Sequence, residues 1–195
     1  GGTGNPDTGS RLRTSAFTAG AGEELRFFFN FVTSDGAGFA DYAWARLLDG
    51  SLNEVALLFT ARTTTGGSTV PGFSMPPLAA TITPATVNII GGGPAWTPLD
   101  SFSGECFDTG CGYTGWVLSS YTIPADGTYI LEFGVVNWDD SSYDTGMAID
   151  GLTVGGAPPG ADSIADIPTL SGWGIAVMVS LLTLLGTALL WRSRA

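Results

Sequence analysis

The chain has 195 residues, of which 18 are acidic and seven are arginine, and its formal net charge is −11. So acidic a chain repels phosphate groups, and nucleic acid is therefore excluded as an expected partner. The sequence contains neither histidine nor lysine, which excludes Ser-His-Asp triads, imidazole metal ligands and Schiff-base chemistry. We expect a protein that is not an enzyme.

The first strongly patterned segment is Glu24–Ser34. Its residues Leu25, Phe27, Phe29 and Phe31 recur at every second position, which places them on one face of a β-strand. Aromatic residues at this period are typical of a strand with one buried side. The segment therefore predicts a strand that contributes to a core.

Similar segments follow along the chain. Further strands are predicted at Asp41–Gly50, Asn53–Thr64, Gly115–Ile123, Gly127–Trp138 and Gly146–Val154, with one more at Ala85–Ile90 inside the Thr-, Gly- and Pro-rich stretch 63–95. Short strands separated by Gly and Asp turns are typical of antiparallel sandwiches. The prediction is an all-β fold, an antiparallel jelly-roll-like β-sandwich that covers residues 1–154.

The tryptophans of this domain fall into two groups. Trp44 and Trp138 lie in or beside predicted strands, whereas Trp96 and Trp116 lie near loops. Aromatic side chains of a small sandwich are usually part of its core. Exposed ones are instead candidates for contact with a glycan or a neighbouring protein, and the sequence leaves both interpretations open.

Cys106 and Cys111 are the two cysteines of the chain, five positions apart. In an exported domain such a pair predicts a disulfide that closes a small loop. Because the loop is short, its main effect would be local rigidity.

Acidic residues concentrate in two predicted inter-strand regions. Asp35 and Asp41 occupy one of them, and Asp139, Asp144 and Asp150 occupy or flank the other. Loops from distant parts of a sandwich meet at one end, and oxygen ligands suit Ca²⁺. We therefore expect a structural calcium site, with Asp150 as the strongest candidate because it lies in an otherwise apolar strand. Solvated turn carboxylates are the alternative.

The C-terminal part has a different composition. Residues 155–166 are rich in Gly, Pro and Asp and predict a linker, and residues 167–195 form a tail whose segment from Gly172 to Trp191 carries no charge. A helix of about twenty residues spans a bilayer of about 30 Å. The sequence therefore predicts a single transmembrane helix at about 172–191.

The flanks of this helix predict its orientation. Trp173 and Trp191 lie where interfacial aromatic residues are expected, and Arg192 and Arg194 follow at once. Positive residues remain on the cytoplasmic side. We expect a single-pass protein of the cytoplasmic membrane with a cytoplasmic C-terminus and a periplasmic or extracellular N-terminal domain.

Small and hydroxyl-bearing residues recur along one side of the same helix. Ala176, Ser180, Thr183 and Thr187 follow at spacings of four, three and four, which places them on one face. Such faces allow close packing between transmembrane helices, so other membrane helices are predicted partners besides the lipid bilayer. Alternatively, the hydroxyl groups bond to carbonyls of their own helix.

Two parts of the sequence resemble known bacterial proteins. The stretch "IPTLSGWG" at residues 167–174, with the apolar helix and basic end that follow, resembles the IPTL-type C-terminal sorting domain, a relative of the PEP-CTERM signals. Residues 29–47 and 111–154 resemble the jelly-roll ectodomains of such proteins, including the closing "DTGMAID" at 144–150. The resemblance implies a bacterial cell-envelope protein, and an exosortase-type protease processes such tails in many members.

Two functions fit these features. The first is a structural or accessory subunit of a larger membrane complex, such as a photosynthetic or respiratory assembly, and the helix face favours it. The second is a surface-sorted adhesion, matrix or polysaccharide-binding protein, and the resemblance to sorting-domain proteins favours it.

Overall fold

Two antiparallel β-sheets pack face to face in the part of the chain that a computed structural model describes, residues 6–160. The predicted all-β sandwich is thereby confirmed. The strands are β1 (Pro6–Arg13), β2 (Phe17–Ala19), β3 (Glu24–Thr33), β4 (Tyr42–Asp49), β5 (Glu54–Arg62), β6 (Thr81–Thr83), β7 (Ile90–Gly91), β8 (Gly112–Tyr113), β9 (Val117–Thr122), β10 (Gly127–Trp138) and β11 (Thr145–Val154).

Each sheet is built around one long strand. In sheet A, β10 pairs with β4 on one side and with β1 and β2 on the other, and β5 continues the sheet beyond β4. In sheet B, β3 pairs with β11 on one side and with β9 and β8 on the other, and β6 and β7 lie outside these two. The two central strands carry the most extensive apolar alternation, which accounts for their position.

The core lies between the sheets and is aromatic. Leu25, Phe27, Phe29 and Phe31 of β3 are at most 1% exposed, which confirms the predicted buried face. The ring of Phe29 stacks on that of Phe59 from sheet A, with 3.8 Å between the centroids. Each such buried side chain contributes about 1.5–3 kcal/mol of hydrophobic free energy, so this interface holds the sheets together.

The predicted strand at Ala85–Ile90 is wrong. Only Ile90 belongs to a strand, the short β7, and Val87 forms an isolated bridge with Val70. Val87 and Ile89 are partly buried against the core, whereas Ala85 and Ile90 are exposed. The β-branched composition of the segment alone was therefore not sufficient for a ladder of hydrogen bonds.

The predicted disulfide is confirmed, because Cys106 and Cys111 are bonded, with their Cα atoms 5.6 Å apart. The bond closes a loop that precedes β8. Cys111 is buried and Cys106 is exposed, so the disulfide ties a surface turn to the body of the sandwich.

Within residues 6–160, no helix has the length and hydropathy to cross a membrane. The predicted membrane helix at about 172–191 lies outside the residues that the structure describes. The same holds for the residues predicted to flank it or to form its packing face: Trp173, Ala176, Ser180, Thr183, Thr187, Trp191, Arg192 and Arg194.

Candidate functional site

A groove of about 580 Å³ crosses the outer face of sheet A, the face turned away from the core. We call it the sheet A groove. It lies between strands β4 and β5 and the segment from Met75 to Ala79. Its lining consists of Tyr42, Trp44, Arg46, Glu54, Val55, Ala56, Leu57, Thr60, Arg62, Met75, Pro76, Pro77 and Ala79.

The alternation of β4 produces the floor of this groove. Tyr42, Trp44 and Arg46 are partly exposed, whereas Ala43 and Ala45 between them are fully buried in the core. Successive side chains of a strand point to opposite faces. The small alanines therefore pack inside, and three large side chains capable of specific contacts lie side by side outside.

Trp44 lies against the backbone of β10. Gly134 is its partner in the ladder, and a Cβ atom added at Gly134 would lie 2.5 Å from the indole ring. The Arg46 guanidinium lies 5.0 Å from the ring centroid of Trp44, within cation–π range. The indole is therefore positioned by a strand and by a charged neighbour, and part of its surface remains open to the groove.

A network of ion pairs fixes Arg46 in turn. Its guanidinium lies 2.6 Å from Oε1 of Glu132 and 3.1 Å from Oε2 of Glu54, and Arg13 bonds the other oxygen of Glu132. Burial acts to raise the pKa of Glu132, but hydrogen bonds from Arg13 and Arg46 outweigh it, and the pKa is lowered. Glu132 is thus held as a carboxylate although its side chain is fully buried.

Arg62 lines the groove beside Tyr42, its partner in the strand ladder. Its guanidinium carbon lies 4.9 Å from the ring centroid of Trp138 and 5.9 Å from that of Tyr42. Its Nε donates a hydrogen bond of 3.1 Å to the carbonyl of Ala40. Stacking and this bond together hold the planar head of Arg62 in one orientation.

The wall of the groove is attached to β5 by backbone hydrogen bonds. The amide of Gly72 donates to the carbonyl and the hydroxyl of Thr60 at 3.1 and 3.0 Å, and the amide of Ala79 donates to Leu57 at 2.9 Å. A Cβ atom at Gly72 would lie 2.6 Å from the sulfur of Met75. Only glycine leaves room there for the close approach of the wall.

The outer face of sheet B carries a second groove, of about 480 Å³, which we call the sheet B groove. Trp116 and Tyr113 are 53% and 39% exposed there, and the ring of Trp96 covers Gly146, where a Cβ atom would lie 2.3 Å from it. None of the described residues that line it is charged. They are Asn30, Val32, Pro94, Ala95, Trp96, Tyr113, Trp116 and Ala148.

Of the acidic residues predicted to bind calcium, Asp41 is the most completely enclosed. It is fully buried, and its carboxylate accepts hydrogen bonds from the backbone amide of Trp138 at 2.8 Å and from the hydroxyls of Thr33 and Thr145. Burial raises the pKa of Asp41 to about 7, and the nearby charge of Asp35 adds to this effect. Asp41 joins sheet A to sheet B at one end of the sandwich.

Asp35 lies in the same region. It is 2% exposed, its Oδ1 accepts a hydrogen bond from the amide of Gly36, and its Oδ2 has no hydrogen-bond partner. Burial raises the pKa of Asp35 to about 6, and repulsion by Asp140 adds to it. Within residues 6–160, the buried oxygens Oγ1 of Thr63 and Oδ1 of Asn137 also lack a partner.

The other three predicted ligands lie elsewhere. Asp139 is exposed, and Asp144 is partly buried, with its pKa raised by burial and by the charge of Asp100. Asp150 is exposed on β11 and accepts a hydrogen bond from the amide of Gly151. It lies five positions along the strand from Thr145, which is about 17 Å, so it does not join Asp41.

Among the described residues, no three His, Cys, Asp or Glu side chains are arranged to hold a metal ion. The structure brings Asp35 and Asp41 near each other but does not gather the five predicted acids in one place. A calcium site at these residues therefore stays a prediction that depends on two carboxylates and uncharged oxygens.

The charged residues of the sheet A groove were not predicted from the sequence. The pattern that indicates them is the alternation Tyr42–Ala43–Trp44–Ala45–Arg46. Small apolar residues on one face and aromatic or charged residues on the other are typical of a strand whose outer face contacts something other than the core. The contribution of Arg62 has no such local signal.

No family model, no curated protein and no solved structure matches this chain. The resemblance to IPTL-type sorting proteins and their jelly-roll ectodomains therefore stays a prediction.

Proposed function

We propose that the domain is a non-enzymatic binding module for polysaccharide and that the sheet A groove is its binding site. The observation that carries the proposal is the partly exposed Trp44 ring, which lies over Gly134 and beside the guanidinium of Arg46. Binding sites of this kind combine apolar or aromatic surface with a few well-placed polar groups. Sugars present both kinds of surface, because their rings have C–H faces and hydroxyl edges.

The groove supplies partners for both surfaces. The rings of Tyr42 and Trp44 offer flat apolar area for the face of a sugar ring. Arg46 and Glu54 at one end offer donors and acceptors for hydroxyl groups, and these two are already paired with each other. Because the side chains are fixed before a ligand arrives, little conformational entropy is lost on binding.

Other parts of the sequence-based hypothesis are retained as proposals. A jelly-roll-like connection of the strands, a location in the bacterial cell envelope and sorting through the C-terminal tail are compatible with a surface polysaccharide-binding protein. The hypothesis of an accessory subunit in a membrane complex depends on residues 172–191, which the structure does not describe. It stays a prediction.

The test uses the full-length chain and a panel of neutral and acidic polysaccharides in affinity electrophoresis. We expect retardation by at least one polymer, and we expect Trp44→Ala to weaken binding by about tenfold or more, since a stacking residue contributes about 1–3 kcal/mol. Trp44→Phe keeps an aromatic ring and should restore most of the affinity.

Trp116→Ala in the sheet B groove is the matched control and should bind as the unmodified chain does. Thermal unfolding of each variant separates loss of binding from loss of fold. Absence of binding to every polymer, or unchanged binding by a folded Trp44→Ala variant, would overturn the proposal.

A further inference from the structure

Arg62 differs from the other arginines of the described chain. Arg11, Arg13 and Arg46 lie within 4 Å of Glu132, and Arg26 lies 3.8 Å from Glu24. Within residues 6–160, Arg62 has no carboxylate at that distance, although it is only 9% exposed. It is a buried guanidinium without a counter-charge.

Such a group is unfavourable unless it has a partner. Removing a charge from water costs free energy that hydrogen bonds and an opposite charge normally offset. The guanidinium of Arg62 donates a hydrogen bond from Nε to the carbonyl of Ala40, and it lies within cation–π distance of the rings of Tyr42 and Trp138. The terminal nitrogens lie at the edge of the guanidinium plane, and Arg62 lines the groove.

The local charge of the groove supports an anionic ligand. Its lining contains two arginines, Arg46 and Arg62, and one acid, Glu54. Arg46 is paired with Glu54 and Glu132, so Arg62 is the lining charge without a carboxylate within 4 Å among the described residues. The whole chain carries −11. At physiological ionic strength charges act over about 8 Å, so a ligand beside Arg62 is screened from most of the negative charge of the chain.

We propose that the polysaccharide is acidic, with sugar units that carry a carboxylate, and that Arg62 binds this carboxylate through its terminal nitrogens. The inference rests on the proposed function, since it concerns the same groove. A guanidinium presents its N–H groups as a planar fork that matches a carboxylate with two parallel hydrogen bonds. Trp44 then supplies the stacking surface, and Arg62 supplies the selectivity for charge.

The experiment compares polygalacturonate with its fully methyl-esterified form, because the two share one backbone and differ in the carboxylate. The full-length chain should bind the acid form more tightly. Arg62→Gln should weaken binding of the acid form about 10- to 100-fold, the value of a charged hydrogen-bonding pair, and should leave binding of the ester unchanged. Arg62→Lys keeps the charge but loses the fork and should fall in between.

Arg26→Gln is the matched control, because it removes one arginine from sheet B and leaves the groove intact. A sulfated polymer with a neutral backbone forms a further arm of the experiment. Equal binding of the sulfated and carboxylated polymers through Arg62 would overturn the assignment to carboxylate.

Failure of the inference can be told apart from failure of the proposed function. A folded Arg62→Gln variant that binds the acid form as tightly as the unmodified chain does would overturn the role of Arg62, while polysaccharide binding would still depend on Trp44. If no polymer binds the chain at all, both proposals are wrong.

Discussion

The two outer faces of the sandwich share one local arrangement, a tryptophan ring packed on a strand glycine, but the residues around it differ. On each face a tryptophan ring lies over a strand glycine, Trp44 over Gly134 in sheet A and Trp96 over Gly146 in sheet B. In sheet A the surrounding residues are charged and joined in a network. In sheet B none of the described lining residues is charged, and one of them, Trp116, projects from a loop.

The two grooves also differ in how their lining side chains are held in position. The sheet A groove has its aromatic and charged groups on adjacent strands, whose spacing is fixed by the hydrogen-bond ladder. Half of the residues that line the sheet B groove lie between strands, Trp96 and Trp116 among them. An aromatic ring provides contact area on either face, but the selective recognition of a polar ligand needs polar groups with fixed positions. Among the described lining residues, charged groups held by ion pairs belong to the sheet A groove.

The largest effect that we expect concerns Asp41, which joins the two sheets. Its pKa is raised in the folded state from 3.8 to about 7, so the native protein binds this proton more tightly than the unfolded chain. Stability contributed by Asp41 is therefore lost as pH rises through this range. Between pH 5 and pH 8 the contribution of Asp41 to the unfolding free energy should fall by about 2–3 kcal/mol, measured by urea denaturation as the difference between the unmodified chain and Asp41→Asn.

Asp41→Asn resembles the protonated acid and should flatten this dependence. Denaturation at pH 8 also tests the calcium hypothesis. A cation bound at Asp41 would replace the proton and stabilise the protein at this pH. If chelator lowers the midpoint of urea denaturation at pH 8 and Ca²⁺ restores it, a cation at Asp35 and Asp41 is supported. A midpoint at pH 8 that neither chelator nor Ca²⁺ changes would argue against a cation at these two residues.

The next largest loss of stability is expected when the ionic network of sheet A is broken, since the described part of sheet B has a single exposed pair in its place. Glu132→Gln removes a fully buried carboxylate from Arg13 and Arg46, and we expect a loss of about 1–3 kcal/mol, because the partly exposed arginines regain some hydration. The equivalent change in sheet B is Glu24→Gln, which breaks an exposed pair worth less than about 0.5 kcal/mol. If Glu132→Gln and Glu24→Gln lowered the free energy of unfolding equally in chemical denaturation, the proposed difference between the ion pairs of the two sheets would be wrong.

The two glycines under the tryptophan rings give a direct comparison. Gly134→Ala and Gly146→Ala each place a methyl group where an indole ring lies, and overpacking of this kind costs about 1–3 kcal/mol. Both variants should lose stability in thermal denaturation. Only Gly134→Ala should also weaken polysaccharide binding, since it displaces Trp44. Weaker binding by Gly146→Ala would show that the sheet B groove takes part.

The smallest effect is expected from Trp116→Ala. The side chain is 53% exposed, so its removal should change the unfolding free energy by less than about 0.5 kcal/mol. Binding in affinity electrophoresis should be unchanged. A tenfold loss of affinity would mean that the loop aromatics of sheet B, and not the strands of sheet A alone, contact the polymer.

Local patterns were sufficient to predict the central strands. The alternation of Leu25, Phe27, Phe29 and Phe31 specifies both a strand and its buried face, and the structure confirms it. Strand β1, Pro6–Arg13, could not be found in this way, because all eight of its residues are exposed. It is held by its ladder with β10 and by the bonds of its arginines to Glu132, and these partners are more than a hundred positions away.

The candidate site was less predictable for the same reason. Trp44 was noted as an aromatic strand residue, yet its exposure depends on Gly134 in another strand. The position of Arg62 depends on Ala40, Tyr42 and Trp138. A clustering of acids along the sequence likewise overestimated their clustering in space, since Asp150 extends away from Asp41.

The wall of the sheet A groove suggests how this domain could change its ligand. Its hydrogen bonds to β5 fall at Gly72 and Ala79, and the wall residues that line the groove, Met75, Pro76 and Pro77, lie between these two points. The floor, on β4 and β5, is part of the sheet, whereas the wall is a separate segment of the chain that lies outside the strands. Substitution within the wall would reshape the groove without disturbing the sheet, so ligand preference and folding stability can vary independently.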